Sequence, residues 1–417
     1  MNRLLQTKLS LMMFLEFFIW GAWYSTVAVY MTANGMENLT HWPFMVNPIA
    51  AIVAPFFVGL IADRYFPTEK VLGTLHLLGA LFMVLTPMAV SSPVVFILLL
   101  LAYNLCYMPT MSLANTLSFH HINDQEKDFP VIRVFGTIGW IVAGLIISFV
   151  LGYFVSSSIK PEETALPLYL TAAASLLLGL YSFTLPHTPP PAAGEKVSFR
   201  SIAGIDALKQ LGSKSFYVFL FSSFLICIPL AAYYNFTQIF LNNANFDNIA
   251  ATLTIGQMSE ALFMVLIPLM FVRLGVKWML AAGMLAWILR YVFFAFGAPE
   301  PTTWMIITGI ALHGICYDFF FVTGQIYVDK KAPANIRGQA QGLIVLITYG
   351  VGMFIGARVA GRVFNSFLGD AAALNLSQWQ DFWWIPAIFA ACVLLFFILF
   401  FNDQVIDKDA TAEDISV

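Results

Sequence analysis

Long apolar runs alternate with short polar breaks along nearly the whole chain. A helix needs roughly 20 mostly apolar residues to cross the hydrocarbon core of a bilayer. Twelve segments meet that requirement: 9–32, 42–62, 71–91, 93–117, 131–154, 166–185, 216–241, 249–272, 276–297, 303–326, 339–364 and 382–402. A membrane β-barrel would instead show alternating strands of about ten residues. Backbone groups in lipid must be satisfied within the spanning structure, which leaves only helices and barrels. The unbroken runs select helices. The expected fold class is all-α and integral to a membrane, with 12 transmembrane helices.

The first run starts behind Arg3 and Lys8 and continues to about Val29. It is too long for the apolar core of a signal peptide, and no small-residue cleavage site follows it. It is therefore expected to be a retained span. The loop cations set the orientation, because cytoplasmic loops carry the excess of Lys and Arg. With a cytoplasmic N-terminus, the inner side holds clusters such as Lys209–Lys214, Arg273–Lys277 and Lys330–Lys331. The outer loops hold only Lys160, with Arg362 at the edge of the eleventh span. Both termini are expected inside.

Composition narrows the class further. The chain has 417 residues, 60% hydrophobic and 10% charged, where a soluble domain carries roughly 25% charged residues. Its 40 Phe exceed what a water-facing surface accommodates. A net charge of −3 offers no field for nucleic acid. Cys106, Cys227, Cys316 and Cys392 all lie in apolar runs without CxxC spacing, so neither zinc nor a disulfide framework is expected. His120, His121 and Asp124 form an H-H-x-x-D loop, but no second cluster completes a coordination sphere. No metal or cofactor is expected.

The longest connection, 187–215, opens on Pro189-Pro190-Pro191, which cannot continue a helix. It then carries the amphipathic stretch Phe199–Leu211, suited to a membrane surface. The chain thus divides into a six-helix bundle at 1–186, a cytoplasmic linker at 187–215, a second six-helix bundle at 216–402 and a polar tail at 403–417. Six spans, a linker and six spans is the layout of the major facilitator superfamily, whose halves are structural repeats. The loop from Gly59 through Asp63 and Arg64 to Lys70 resembles that superfamily's G-x-L-a-D-r motif, a charge-and-cap clasp at a gate. The corresponding loop Phe271–Lys277 lacks the acid.

Charges inside the spans are the candidate chemistry. Glu16, Arg133, Glu260, Arg290 and Asp318 lie within or at the edge of apolar runs. A charge at membrane depth is costly and marks a functional site by default. Arg133, Thr137 and Trp140 share one helix face at i, i+4 and i+7. An arginine fork can donate to hydroxyls, a base carbonyl or a carboxylate, or it can snorkel to the cytoplasm. Trp140 offers a flat face for a base or plain packing. Gln257 and Glu260 share a face of span eight, and an amide with a carboxylate matches paired sugar hydroxyls.

Asp318 is the candidate proton carrier, since burial favours the neutral form of a carboxylate and a nearby cation the charged form. Glu16, with Trp20 and Trp23 on its face, either couples protons or pairs with an arginine. His313 and Tyr317 lie four apart on span ten. His313 serves substrate, the proton path or an interhelical contact. His76 and Arg290 are expected to be structural, Arg290 balancing an acid in the second bundle.

Several strings resemble the bacterial nucleoside:proton symporters. They include Phe17-Phe18-Ile19-Trp20-Gly21-Ala22-Trp23, Asp128-Phe129-Pro130 continuing through Arg133 to Gly139, Gln257-Met258-Ser259-Glu260, and His313 through Asp318 to Phe320. Order and spacing match over essentially the whole chain. The resemblance implies a proton-coupled importer of nucleosides, or of close nucleoside-like glycosides, working by alternating access as a monomer in a bacterial cytoplasmic membrane. It implies substrate roles for Arg133, Thr137, Gln257 and Glu260 and proton coupling at Asp318. Trp140, Tyr234, His313 and Tyr317 would line the same site.

The chain departs from the family where Ala231 and Tyr234 replace an expected amide pair in span seven and His313 replaces a tyrosine. Asn235 and Gln238 would supply the amides in a shifted register. This leaves a sugar or cell-wall-derived glycoside as an alternative cargo. A membrane-embedded enzyme would need a compact acid/base or metal cluster, and these acids are scattered over spans one, eight and ten.

Overall fold

A backbone in lipid must bond to itself, and in the computed structural model the described residues form helix after helix and no strand. The structure describes residues 3–122, 125–156, 158–190, 205–333 and 336–402, without the side chains of 55–64, 125–127, 205–206 and 337–338. The side chains of Asp63 and Arg64 beside Gly59, residue Asp124, residues 199–204 of the stretch Phe199–Leu211 and the tail at 403–417 lie outside the described residues.

The first half runs α1 Arg3–Tyr24, α2 Val27–Ala33, α3 Pro43–Tyr65, α4 Thr68–Met88, α5 Pro93–His121, α6 Gln125–Leu145 and α7 Leu166–Ser182. A short α8, Ile205–Gln210, precedes α9 Lys214–Asn243 and α10 Ile249–Gly297. Then follow α11 Thr303–Ala311, α12 His313–Cys316, α13 Thr323–Lys331, α14 Arg337–Val345, α15 Met353–Leu368 and α16 Leu376–Phe400. Each of the twelve expected segments falls on helix, and among the described residues 9 helices are long and apolar enough to cross a membrane. Pro43–Tyr65 and the shorter Leu166–Ser182 carry two further segments.

The loop expected between spans eight and nine is almost absent. Helix continues for 49 residues and is interrupted at Gly275, where φ is 65° and ψ 172°. Only glycine adopts that conformation without a Cβ penalty, so one residue turns the chain.

Contacts between residues group the chain into two compact units, Met1–Val197 with Tyr234–Thr254, and Ser198–Tyr233 with Ile255–Val417. In the first, α1 lies along α6. The close approach depends on glycine: a Cβ at Gly136 would sit 2.7 Å from the Phe17 ring, and one at Gly139 would strike the Phe14 carbonyl. Small residues let helix backbones pack closely in lipid. Gly139→Val is expected to abolish monodisperse protein on size-exclusion chromatography in detergent; a normal elution profile would show that the helices can part without loss.

In the second unit, Ile267, Met279 and Phe319 form a buried cluster, with Phe263, Met270, Phe271 and Ile315 packed around them. Three stretches widen from α to π geometry: Ile146–Val150 after α6, Tyr317–Val322 after α12 and Leu346–Gly352 after α14. Such bulges are rare and concentrate at functional sites.

Candidate functional site

The first unit contains an aromatic cluster built on the α1–α6 contact. Trp20 and Trp140 meet edge-on at 5.4 Å, Tyr24 lies 6.2 Å from Trp140, and Tyr234 lies 5.6 Å from Tyr24. Gly21 makes room for Trp140, whose ring carbon would lie 2.9 Å from a Cβ there. The Arg133 guanidinium sits 4.0 Å over the Phe17 ring on the same pair of helices. Arg133, Thr137, Trp140 and Tyr234 are all partly exposed. Trp20 joins this set. Its indole N–H is buried without a hydrogen-bond partner among the described residues. The sequence placed Trp20 only beside Glu16; its place in a Trp-Gly-x-Trp run on a span was the available signal.

Glu16 is fully buried, and its partner is a histidine rather than the arginine expected as one alternative. His76 Nε2 lies 2.9 Å from Glu16 Oε2, and the Thr110 hydroxyl donates to Glu16 Oε1 at 2.5 Å. Tyr107 donates to the Glu16 carbonyl, and Ser175 lies 3.2 Å from His76 Nδ1. Four helices, α1, α4, α5 and α7, are tied together by this network. Leaving a buried hydrogen-bonding group without its partner costs about 1–3 kcal/mol. His76→Ala should therefore lower the thermal midpoint in detergent markedly; an unchanged midpoint would show that the pair contributes little.

In the second unit, α10 carries Gln257 and Glu260, both partly exposed. His313 Nε2 lies 4.0 Å from Glu260 Oε2, and the His313 ring stacks on Tyr233 at 5.3 Å. The Arg290 guanidinium lies 3.9 Å over that same Tyr233 ring, and its Nε donates to the Gly309 carbonyl. Arg290 is thus buried among rings and a helix carbonyl, a placement that lets a guanidinium lose water without losing all partners. Gly256 faces His313, and a Cβ there would be 3.1 Å from the histidine Cβ, so the imidazole sits tight against α10. Tyr317, 5.9 Å from His313, continues the row of rings through Phe321 to Tyr349.

Asp318 lies in the π segment that follows α12. It is fully buried, and among the described residues neither carboxylate oxygen has a hydrogen-bond partner. An ionised carboxylate in that setting is costly. The π widening is what offsets Asp318 and Tyr317 from a regular helical face, and nothing in the residue pattern announces it.

Two amides of span seven part company. Gln238 Oε1 accepts from the Ala28 backbone N–H, and its Nε2 donates to the Tyr24 carbonyl. Asn235 is fully buried, with neither amide atom hydrogen-bonded among the described residues.

The comparisons fit this geometry. Residues 3–405 match the family model described as nucleoside H+ symporter. YegT of Escherichia coli (strain K12), a provisional nucleoside transporter, is 41% identical over 413 residues, covering 97% of this chain and 95% of its own. The xanthosine permease of the same organism is 31% identical, covering 94% of each chain. A crystal structure of a mutant of the nucleoside transporter NupG superposes with a TM-score of 0.86 at 28% identity, covering 95% of this chain and 100% of that one. The all-helical fold expected of the major facilitator superfamily is borne out by that likeness.

Proposed function

The chain belongs to the nucleoside H+ symporter family, and on that premise we propose that it imports nucleosides, or close nucleoside-like glycosides, together with protons by alternating access. The observation that carries this reading is Asp318, a carboxylate buried inside a membrane-spanning segment with no hydrogen-bond partner among the described residues. A chain that keeps such a group in oil uses it.

The cargo contacts divide by chemistry. In the first unit, Trp140, Trp20 and Tyr234 present ring faces and edges for a base, while Arg133 and Thr137 donate to its carbonyls or to hydroxyls. In the second, Glu260 accepts from sugar hydroxyls, Gln257 both donates and accepts, and His313 and Tyr317 extend the polar row. Asp318 carries the proton. Glu16, tied to His76 and Thr110, holds the helices that position Phe17 and Trp20. Twelve crossings, both termini cytoplasmic, a monomer and the bacterial cytoplasmic membrane complete the proposal. The lipid contact is supported by Leu98, Leu177, Leu180, Leu262 and Val265, which are exposed on apolar helices where water would be unfavourable.

The missing amide pair in span seven keeps a sugar or glycoside cargo as the second reading. A competition screen on the purified protein separates the two. Unlabelled uridine, adenosine and xanthosine should displace a labelled nucleoside, while glucose and maltose should not. Displacement by the sugars alone would move the assignment to the glycoside.

A further inference from the structure

The segment Tyr234–Thr254 follows the linker in sequence, yet it clusters with the first unit rather than the second. Its attachments are specific. The first span is broken at Ser25–Thr26, between α1 and α2. In an unbroken helix the N–H of Ala28 would donate to the carbonyl of Tyr24. The Gln238 side chain stands in that gap: its Oε1 takes the Ala28 N–H at 3.0 Å, and its Nε2 gives to the Tyr24 carbonyl at 3.2 Å. Ser25 and Thr26 turn their hydroxyls back onto the carbonyls of Gly21 and Ala22, an arrangement that bends helices.

A second attachment lies at the start of α10. The first N–H groups of a helix have no partner within it. Here the fully buried Glu162 accepts from the Ala250 N–H with Oε1, and Ser148 accepts from the Ala251 N–H. Ser148 in turn donates to Glu162. Lys160 and Glu163 hold the two ends of the Asn242 amide. Gly144 lies against this turn so closely that a Cβ would meet the Ala250 carbonyl at 2.8 Å.

The geometry points to Gln238 as the switch residue of an external gate, with Glu162 and Ser148 as its second latch. The argument is one of exchange. With Tyr234–Thr254 attached, Gln238 satisfies both ends of the break in the first span. With the segment detached, Tyr24 and Ala28 can bond directly and the span closes into one helix. The backbone of the first span therefore has two satisfied arrangements, which is what a bistable gate requires. In the orientation proposed above, the break and Gln238 lie in the outer halves of their spans, and Glu162 lies in the outer connection after span five. This inference rests on the transport reading for its direction, but its test does not need the cargo.

The test uses the full chain in right-side-out membranes, with its four cysteines replaced by alanine. Ile249→Cys places a thiol at a fully buried position beside the latch. A membrane-impermeant maleimide applied from outside should label it slowly. Adding Gln238→Leu removes both hydrogen bonds, so labelling should rise about tenfold or more. A second variant, Ser148→Cys with Ala251→Cys, is oxidised to a disulfide across the latch. It should then take up no nucleoside until a reductant is added. Unchanged labelling in a folded Gln238→Leu protein, or full uptake by the verified cross-linked protein, would overturn the proposal. Faster labelling in a protein that moves no nucleoside would support the gate and count against the cargo reading instead.

Discussion

Asp318→Asn is expected to abolish concentrative uptake while leaving exchange of cargo across the membrane. The amide has the size of the acid and keeps the polarity of the site, but it cannot pick up and release a proton. One elementary charge moving through 100 mV is worth about 2.3 kcal/mol, or roughly a 50-fold accumulation per proton. The variant should lose that factor entirely and equilibrate inside with outside. The reason lies in the placement of Asp318. It is buried in a π-widened segment, without a hydrogen-bond partner among the described residues. Counterflow in preloaded proteoliposomes checks the retained half of the expectation, and accumulation under an imposed proton gradient checks the lost half. Full gradient-driven accumulation by Asp318→Asn would remove the proton from this residue.

The second large effect is expected at Glu260. A hydrogen bond to a charged group is worth about 1.5–3 kcal/mol, so Glu260→Ala should weaken nucleoside binding by roughly tenfold to a hundredfold. The loss should depend on the cargo's hydroxyls. If the carboxylate holds the paired hydroxyls of a ribose, a 2′-deoxynucleoside has less to lose, and the variant should discriminate less between the two. Glu260→Gln keeps an acceptor and should fall between. His313 lies 4.0 Å from the carboxylate, so His313→Phe in the same cycle separates its share. Equal losses for ribo- and deoxynucleosides would place Glu260 away from the sugar.

Much of the architecture was legible because lipid restricts the choices. A run of about 20 apolar residues has one solution with a satisfied backbone when it is not a barrel strand, and every expected segment lies on helix. The Gly275 turn was less legible. The sequence offers Arg273 to Lys277 as a charged loop, but a glycine at positive φ needs only itself to reverse the chain. What the sequence does not carry is long-range pairing. Glu16 and His76 stand 60 residues apart and meet only because α1 and α4 are folded against a common core. His76 therefore looked like packing, and Glu16 looked ready for an arginine.

Span seven makes the same point. Asn235 and Gln238 are equivalent spare amides in the chain, three residues apart. The structure sends Gln238 into the break of the first span and leaves Asn235 buried with its amide unspent. Tyr234–Thr254 groups with the first unit, to which those bonds and Glu162 tie it, and hydropathy weighs none of them. The π segments were equally hidden, since one extra residue per turn is set by neighbours rather than by local propensity. For Arg133, Thr137, Trp140, Gln257 and Glu260 the helix spacing and the family resemblance gave candidates. In the structure all five are partly exposed.

The most direct test of the central claim is uptake of radiolabelled uridine by proteoliposomes containing the purified protein, with and without an inward proton gradient. The account predicts accumulation above the external concentration only with the gradient, and collapse to equilibrium when a protonophore is added. Identical rates and end points in the two conditions would contradict it.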